Sequence, residues 1–286
     1  MKLFNKIAVI GGGNMGAQIA VQTALFGLPV SLYVRSEKSK EKLENYVETY
    51  KTMIHKMNKF KIEKLHAMDD NLTILSDLSD VVSDADIIIE SIVENVEAKK
   101  EIFQKICKYC KSSAVIATNT STFIPSMFTD SIKNPENFAC AHFHTYVWTS
   151  SIVEIMPHAG TSKETLETLK KFASQIGQVP LMIKKENTNY VFNSIMSEIN
   201  RAAITLVANE VTTIRDIDMV WRGVMKISNG PFAIMDMVGI DTIYNVNNYW
   251  AEQMNDEQLK KNSEFLKKFV DAGKLGVKTH EGFYKY

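Results

Sequence analysis

The residues best placed to do chemistry at the start of the chain are glycines. Ile7-Ala8-Val9-Ile10 leads into Gly11-Gly12-Gly13-Asn14-Met15-Gly16. The spacing Gly11-x-Gly13-x-x-Gly16 between a strand and a helix suits one task, holding a pyrophosphate on backbone amides. Gly11 permits the tight turn, Gly13 lets the phosphates approach the main chain, and Gly16 lets the helix pack close to the strand. The free N–H groups at the helix start, those of Asn14 and Met15 included, then hold the anion with the helix dipole behind them. A nicotinamide dinucleotide is the ligand this implies; a glycine turn without ligand is the weaker alternative. An acidic residue about 20 residues on ordinarily holds the ribose 2′-hydroxyl of NAD. Here that position reads Val34, followed by Arg35 and Ser36. An arginine attracts a 2′-phosphate and a serine can donate to it. The cofactor is therefore NAD or NADP, with NADP(H) slightly favoured; the alternative is that Arg35 only stacks near the adenine.

The elements around this turn alternate. Strands are expected at Lys6–Ile10, Pro29–Val34, Leu72–Leu75, Asp86–Ser91, Ala114–Thr118, Phe138–Phe143, Ile152–Met156 and Val179–Ile183. Helices are expected at Asn14–Phe26, Glu37–Met57, Val96–Cys110 and Lys163–Ile176. Leu43, Tyr46, Tyr50, Met53 and Met57 fall on one side of the second helix. Strands separated by helices imply a parallel sheet covered on both faces, an α/β Rossmann-type doubly wound sheet. From Asn189 onward the periodicity is helical throughout, which predicts an all-α second domain. The boundary is placed between residues 186 and 187. The lysine-rich Met53–Lys64 stretch is read as a solvated helix face and its loop, with phosphates of a large acidic ligand as the alternative.

Bulk properties exclude several classes. With 286 residues the chain can bury a sizeable core. Lysine plus arginine equals aspartate plus glutamate, and no basic stripe suggests nucleic acid or a membrane surface. Apolar runs such as Asp86–Ile92 are too short to span a bilayer, and no signal-peptide pattern opens the chain. A soluble, cytoplasmic protein is expected. The three cysteines, Cys107, Cys110 and Cys140, are too few for a disulfide framework. Cys107-x-x-Cys110 lacks a second Cys/His pair at zinc spacing, so the thiols are read as inert and no metal site is expected.

Later segments resemble the 3-hydroxyacyl-CoA dehydrogenase family. They are Glu90–Phe103 with Glu94 and Asn95; Ala117-Thr118-Asn119-Thr120-Ser121; and Ala141-His142-Phe143 followed by Val153-Glu154-Ile155. Asn193, the Gly230-Pro231-Phe232…Asp236…Gly239…Asp241 stretch and the terminal Gly273…Gly276…Gly282…Tyr284 segment are similar too. The resemblance spans essentially the whole chain. It implies oxidation of a secondary alcohol, which needs a base while hydride leaves for the nicotinamide. His142 is the candidate base, because imidazole titrates near neutral pH. Glu154, on the next strand, can orient the ring and stabilise the imidazolium. Ser121, after a strand end, can hydrogen-bond the substrate oxygen, and Asn193 resembles the residue that contacts the same atom. Glu94, Lys99 and Asn119 match family positions around the nicotinamide and its ribose. The helical domain resembles the family's dimerisation domain, so a homodimer is implied, with Val191, Ile195, Ile199 and Ala203 on one face as core or interface.

Bland readings stand beside these. His142 can be a packed core residue, Ser121 the cap of a helix starting near Ile124, and Asn193 an internal helix polar group. His144 and His158 are read as structural or surface residues. The chain also departs from the family, which usually has His-Phe-Phe-Asn-Pro where His142-Phe143-His144-Thr145-Tyr146 stands. The implied substrate is a small molecule, a short-chain coenzyme A thioester. The alternatives are a free 3-hydroxy acid of the gulonate or carnitine type, and a dinucleotide-binding protein without turnover. Whether Glu37–Lys64 receives the adenosine phosphate of coenzyme A would separate the first two.

Overall fold

β-Branched and apolar runs set the strands, and the computed structural model describes residues 4–57, 60 and 62–286. Two units emerge, Met1–Val191 and Phe192–Tyr286. In the first, the order is β1 (Ile7–Ile10), α1 (Asn14–Leu25), β2 (Val30–Tyr33), α2 (Glu37–Lys56), α3 (Ile62–Asn71), β3 (Leu72–Leu75) and α4 (Leu78–Val82). There follow β4 (Ile87–Glu90), α5 (Val96–Tyr109), β5 (Val115–Thr118), β6 (Phe138–Phe143), α6 (Val147–Ser150), β7 (Ile152–Met156), α7 (Lys163–Gln175) and β8 (Val179–Met182). The strands form one sheet in the order β3-β2-β1-β4-β5-β6-β7-β8. Chain order reverses between β1 and β4, and ligands of such sheets bind beyond the strand ends at that crevice.

β1, β4, β5 and β6 are buried along their whole length, as expected of strands covered on both faces. Alternate residues separate cleanly. Ile7, Val9, Ile87 and Ile89 pack with Ala17, Ala20 and Ala24 of α1, whereas Ala8, Ile10 and Ile88 pack with Phe103 and Ile106 of α5. Pro180 lies on β8, an edge strand, where a missing N–H is tolerated.

The expectation of an all-parallel sheet needs correction. β6 and β7 pair antiparallel, while the other neighbouring pairs are parallel. Only residues 144–151 join β6 to β7. A parallel crossover needs about a dozen residues or more, so the chain turns back instead. The buried face of α2 is also shifted: Leu43, Val47, Tyr50 and Ile54 are buried, Tyr46 and Met53 are partly buried, and Met57 is exposed. Of the lysine-rich stretch, Asn58, Lys59 and Lys61 lie outside the described residues; the chain beyond them forms α3, a helix not among those expected from the sequence.

The second unit is helical: α8 (Phe192–Ala208), α9 (Ile214–Met225), α10 (Pro231–Val238), α11 (Ile240–Met254) and α12 (Glu257–Asp271). Two buried aspartates organise it. Asp218 accepts from the backbone N–H of Phe232 and Ala233, both at 2.9 Å, and so caps α10 from outside. Asp236 accepts from Phe283 N, Tyr284 N and the Tyr286 hydroxyl, which pins the terminal segment. A Cβ on Gly230 would come within 2.4 Å of Asp218, and one on Gly282 within 2.1 Å of Asp236. Gly230 and Gly282 are therefore required by packing. On α8, Ala203 is buried while Val191, preceding the helix, and Ile195 are exposed. Among the described residues no helix is long and apolar enough to cross a membrane.

Candidate active site

The glycine turn follows β1 directly. Gly11 has φ +119°, and a Cβ there would lie 2.5 Å from Ser91 O. A Cβ on Gly16 would lie 1.9 Å from Gly11 O, so α1 packs onto the turn only through hydrogen. Gly12, given no role by the spacing, has the same constraint, with Val34 Cγ1 2.5 Å from its Cβ position. Gly13 differs: nothing lies within 4 Å of its Cβ position. It caps α1 in extended conformation, and no side chain caps the helix amides. Bare N-terminal amides beside open space at the sheet's crevice fit a dinucleotide pyrophosphate. Asn14 Oδ1 accepts from Gln18 Nε2 (2.9 Å) and the Tyr50 hydroxyl (2.5 Å). Val34 is buried, and Arg35 and Ser36 are exposed. The Ser36 hydroxyl caps α2 by accepting from Ser39 N.

A buried polar cluster stands beyond β4 and β5. Glu90, the last residue of β4, accepts from Lys99 Nζ at 2.8 and 3.0 Å, from Thr118 Oγ1 at 2.5 Å and from Ile92 N at 2.7 Å. Burial pushes the Glu90 carboxyl up from its ordinary range and the Lys99 ammonium opposes this. Lys99 Nζ also lies 3.4 Å from Glu94 Oε2. With 0% side-chain exposure, the ammonium sits beneath the surface, held by these carboxylates. The other oxygen of Glu94 accepts from Thr120 Oγ1, Ser121 N (3.1 Å) and Thr122 N (3.2 Å). Asn119 donates to Ser91 Oγ and accepts from Phe143 N, which ties β4, β5 and β6 together. Ser121 is exposed just past β5, and the helix near Ile124 is a short 3-10 turn that Ser121 does not cap.

The β6–β7 hairpin makes His142 and Glu154 cross-strand partners. His142 Nδ1 donates to Glu154 Oε2 at 2.9 Å, and both side chains are almost fully buried. Glu154 Oε1 accepts from Val191 N at 2.9 Å. The Tyr190 ring packs on the imidazole, centroids 4.6 Å apart. Burial lowers the His142 pKa from its ordinary value, Glu154 opposes this, and His144 adds to it. His144 Nε2 also reaches Glu154 Oε2, at 3.4 Å. Neither His144 nor Tyr190 is expected here from the sequence. Alternation along a strand was the signal for His144, because residues two apart share a face.

The unusual turn after the histidine is anchored on α1. Gln18 Oε1 accepts from Tyr146 N (2.6 Å) and Val147 N (3.3 Å), and Thr145 Oγ1 donates to Met15 Sδ. Tyr146 adopts φ +59° at the start of α6, a left-handed conformation that non-glycine residues seldom take. Gly11–Gly16, Glu94, Asn119, Ser121 and His142 all lie at or just beyond the ends of neighbouring parallel strands, at one edge of the first unit. Asn193 belongs to the second unit, in the first turn of α8.

Residues 6–187 match the NAD binding domain of 3-hydroxyacyl-CoA dehydrogenase, and residues 190–286 match its C-terminal domain. The mitochondrial hydroxyacyl-coenzyme A dehydrogenase of Homo sapiens is 31% identical, over 98% of this chain and 90% of that protein. A 3-hydroxybutyryl-CoA dehydrogenase of Clostridioides difficile is 30% identical over 98% and 99%. Among solved structures, a diketoreductase that acts on dicarbonyl compounds has a TM-score of 0.91 at 31% identity, covering 100% of both chains. With the glycine turn, the mixed sheet and the helical second unit all matched, the chain belongs to the 3-hydroxyacyl-CoA dehydrogenase family.

Proposed function

We propose that this protein interconverts a short-chain 3-hydroxyacyl-CoA and the corresponding 3-oxoacyl-CoA, using a nicotinamide cofactor. The observation that carries the reading is the buried His142–Glu154 pair, 2.9 Å apart at the sheet edge that also bears the glycine turn. The cofactor, when bound, supplies the hydride acceptor. Nδ1–H of His142 is held by Glu154, so the ring presents Nε2 as the proton-accepting atom. The imidazolium formed on accepting the alcohol proton is stabilised by the carboxylate. Ser121 is assigned to the substrate oxygen, and Glu94 and Asn119 to framing the nicotinamide; Asn193, in the second unit, is assigned a substrate role from its family position. Lys99 acts as a positioning residue, fixing Glu94 from below. The pyrophosphate is assigned to the amides of Gly13, Asn14 and Met15.

NADP(H) preference rests on the exposed Arg35 and the absence of an acid at Val34. A much lower KM for NADH than for NADPH would defeat it. A homodimer through the helical unit is supported by exposed apolar residues, including Met219, Val220, Val224 and Met225 on α9 and Tyr249 and Trp250 on α11. Gel filtration at low concentration that returns a monomer would count against it. The second reading, a reductase of free 3-oxo acids or dicarbonyl compounds, draws on the diketoreductase likeness.

Acetoacetyl-CoA and free 3-oxo acids, each assayed with NADH and NADPH, separate the readings. Turnover of acetoacetyl-CoA, falling about 10²–10⁴-fold in His142→Gln, is the expected result. Turnover of free acids alone would select the second reading, and an unimpaired His142→Gln would remove the base assignment.

A further inference from the structure

We infer that His142, His144 and Glu154 form a binding site for a divalent transition cation of the zinc type, and that its occupation switches the enzyme off. His142 and His144 stand two residues apart, the second just past the end of β6, and Glu154 faces them from β7. His142 Nδ1 lies 2.9 Å and His144 Nε2 3.4 Å from the same oxygen, Glu154 Oε2. The three ligand atoms all fall within 4.8 Å of one another. Ligands of a tetrahedral zinc with bonds of about 2.0–2.1 Å are separated by about 3.4 Å, so small side-chain movements admit the ion. Two imidazoles and a carboxylate are a common zinc donor set. Strand pairing fixes His142 against Glu154, and Val191 N holds the far oxygen of that carboxylate at 2.9 Å, as partners behind metal ligands do. His144 is the outermost of the three, at 18% side-chain exposure, and provides the way in.

The tautomer explains the inhibition. A metal on Nδ1 of neutral His142 leaves the ring proton on Nε2, the atom that must accept the substrate proton. As the ion binds, Nδ1 gives its proton to solvent and Nε2 takes one from solvent; no redox change occurs, and removal of the ion reverses the exchange and restores the base. Only this inhibitory half rests on the dehydrogenase reading; binding does not.

The test uses the full chain in equilibrium dialysis with Zn²⁺ and, separately, visible absorption with Co²⁺. Expected are one retained zinc per chain and cobalt d–d bands of a low-coordinate site. Both should weaken at least about tenfold in His144→Phe and in His144→Gln, with the fold checked by circular dichroism. In the parent chain Zn²⁺ should abolish turnover and EDTA restore it. Zinc retained equally by the His144 variants, or lost instead in Cys107→Ser/Cys110→Ser, would overturn the site. Stoichiometric binding without inhibition would leave the site standing and overturn the switch.

Discussion

Two buried carboxylates in the first unit can be compared directly. Glu90 and Glu154 are each at most 1% exposed, and each is saturated by donors from neighbouring strands and loops. Glu90 is held by an ammonium, a hydroxyl and a backbone amide. Glu154 is held by two imidazoles and a backbone amide. The difference lies in the cation. The Lys99 ammonium is held by both oxygens of Glu90, so the Glu90–Lys99 pair is a fixed strut under Glu94 and the strand ends. Imidazoles gain and lose charge near neutrality, so a similar buried carboxylate becomes part of a proton-handling device. Removing a partner should therefore damage stability in one case and turnover in the other.

Lys99→Met breaks the comparison at its strongest point. It leaves Glu90 buried without its cation and should cost about 3–5 kcal/mol in urea unfolding. A loss below about 1 kcal/mol would show that the pair is not a strut. Glu154→Gln keeps the shape but removes the charge that stabilises the imidazolium. Turnover should fall about 10²-fold or more while the far-ultraviolet spectrum stays unchanged. Wild-type turnover in that variant would make Glu154 merely structural. The glycine turn sharpens the same division at smaller scale. Gly16→Ala forces a Cβ toward Gly11 O and should destabilise by about 1–3 kcal/mol. Gly13→Ala meets open space, so its melting should change by no more than about 0.5 kcal/mol while KM for the dinucleotide rises about tenfold. Equal destabilisation by the two would erase the distinction.

The parts of this arrangement were unequally legible in the sequence. The glycine turn shows because its requirement is local: φ +119° at Gly11 and a backbone contact at Gly16 leave no other residue type. β1, β4, β5 and β6 show because burial on both faces demands apolar runs. The reversal at β6–β7 is a matter of connection length, and it was hidden by the helical periodicity elsewhere. The stripe on α2 was misplaced by one residue because tyrosines and methionines on its flank are as apolar as Val47 and Ile54. Lys99 shows in the sequence only as a match to a family position around the nicotinamide; its burial against Glu90 and Glu94 depends on packing between α5 and the segment beyond β4, which no local pattern reveals. His144 looked incidental because it lies just past the end of β6, outside the run whose alternation would mark the face it shares with His142.

The acid limb of kcat/KM for oxidation of (S)-3-hydroxybutyryl-CoA tests the central claim most directly. Burial lowers the His142 pKa from about 6.5. The base stays neutral, and the rate stays on its plateau, as the pH falls below that value; the rate is lost only when the pH passes the lowered pKa. Glu154 raises that pKa, so Glu154→Gln should move the limb to still lower pH on a reduced plateau. A limb at the same pH in both proteins, or one shifted upward in the variant, would contradict the account.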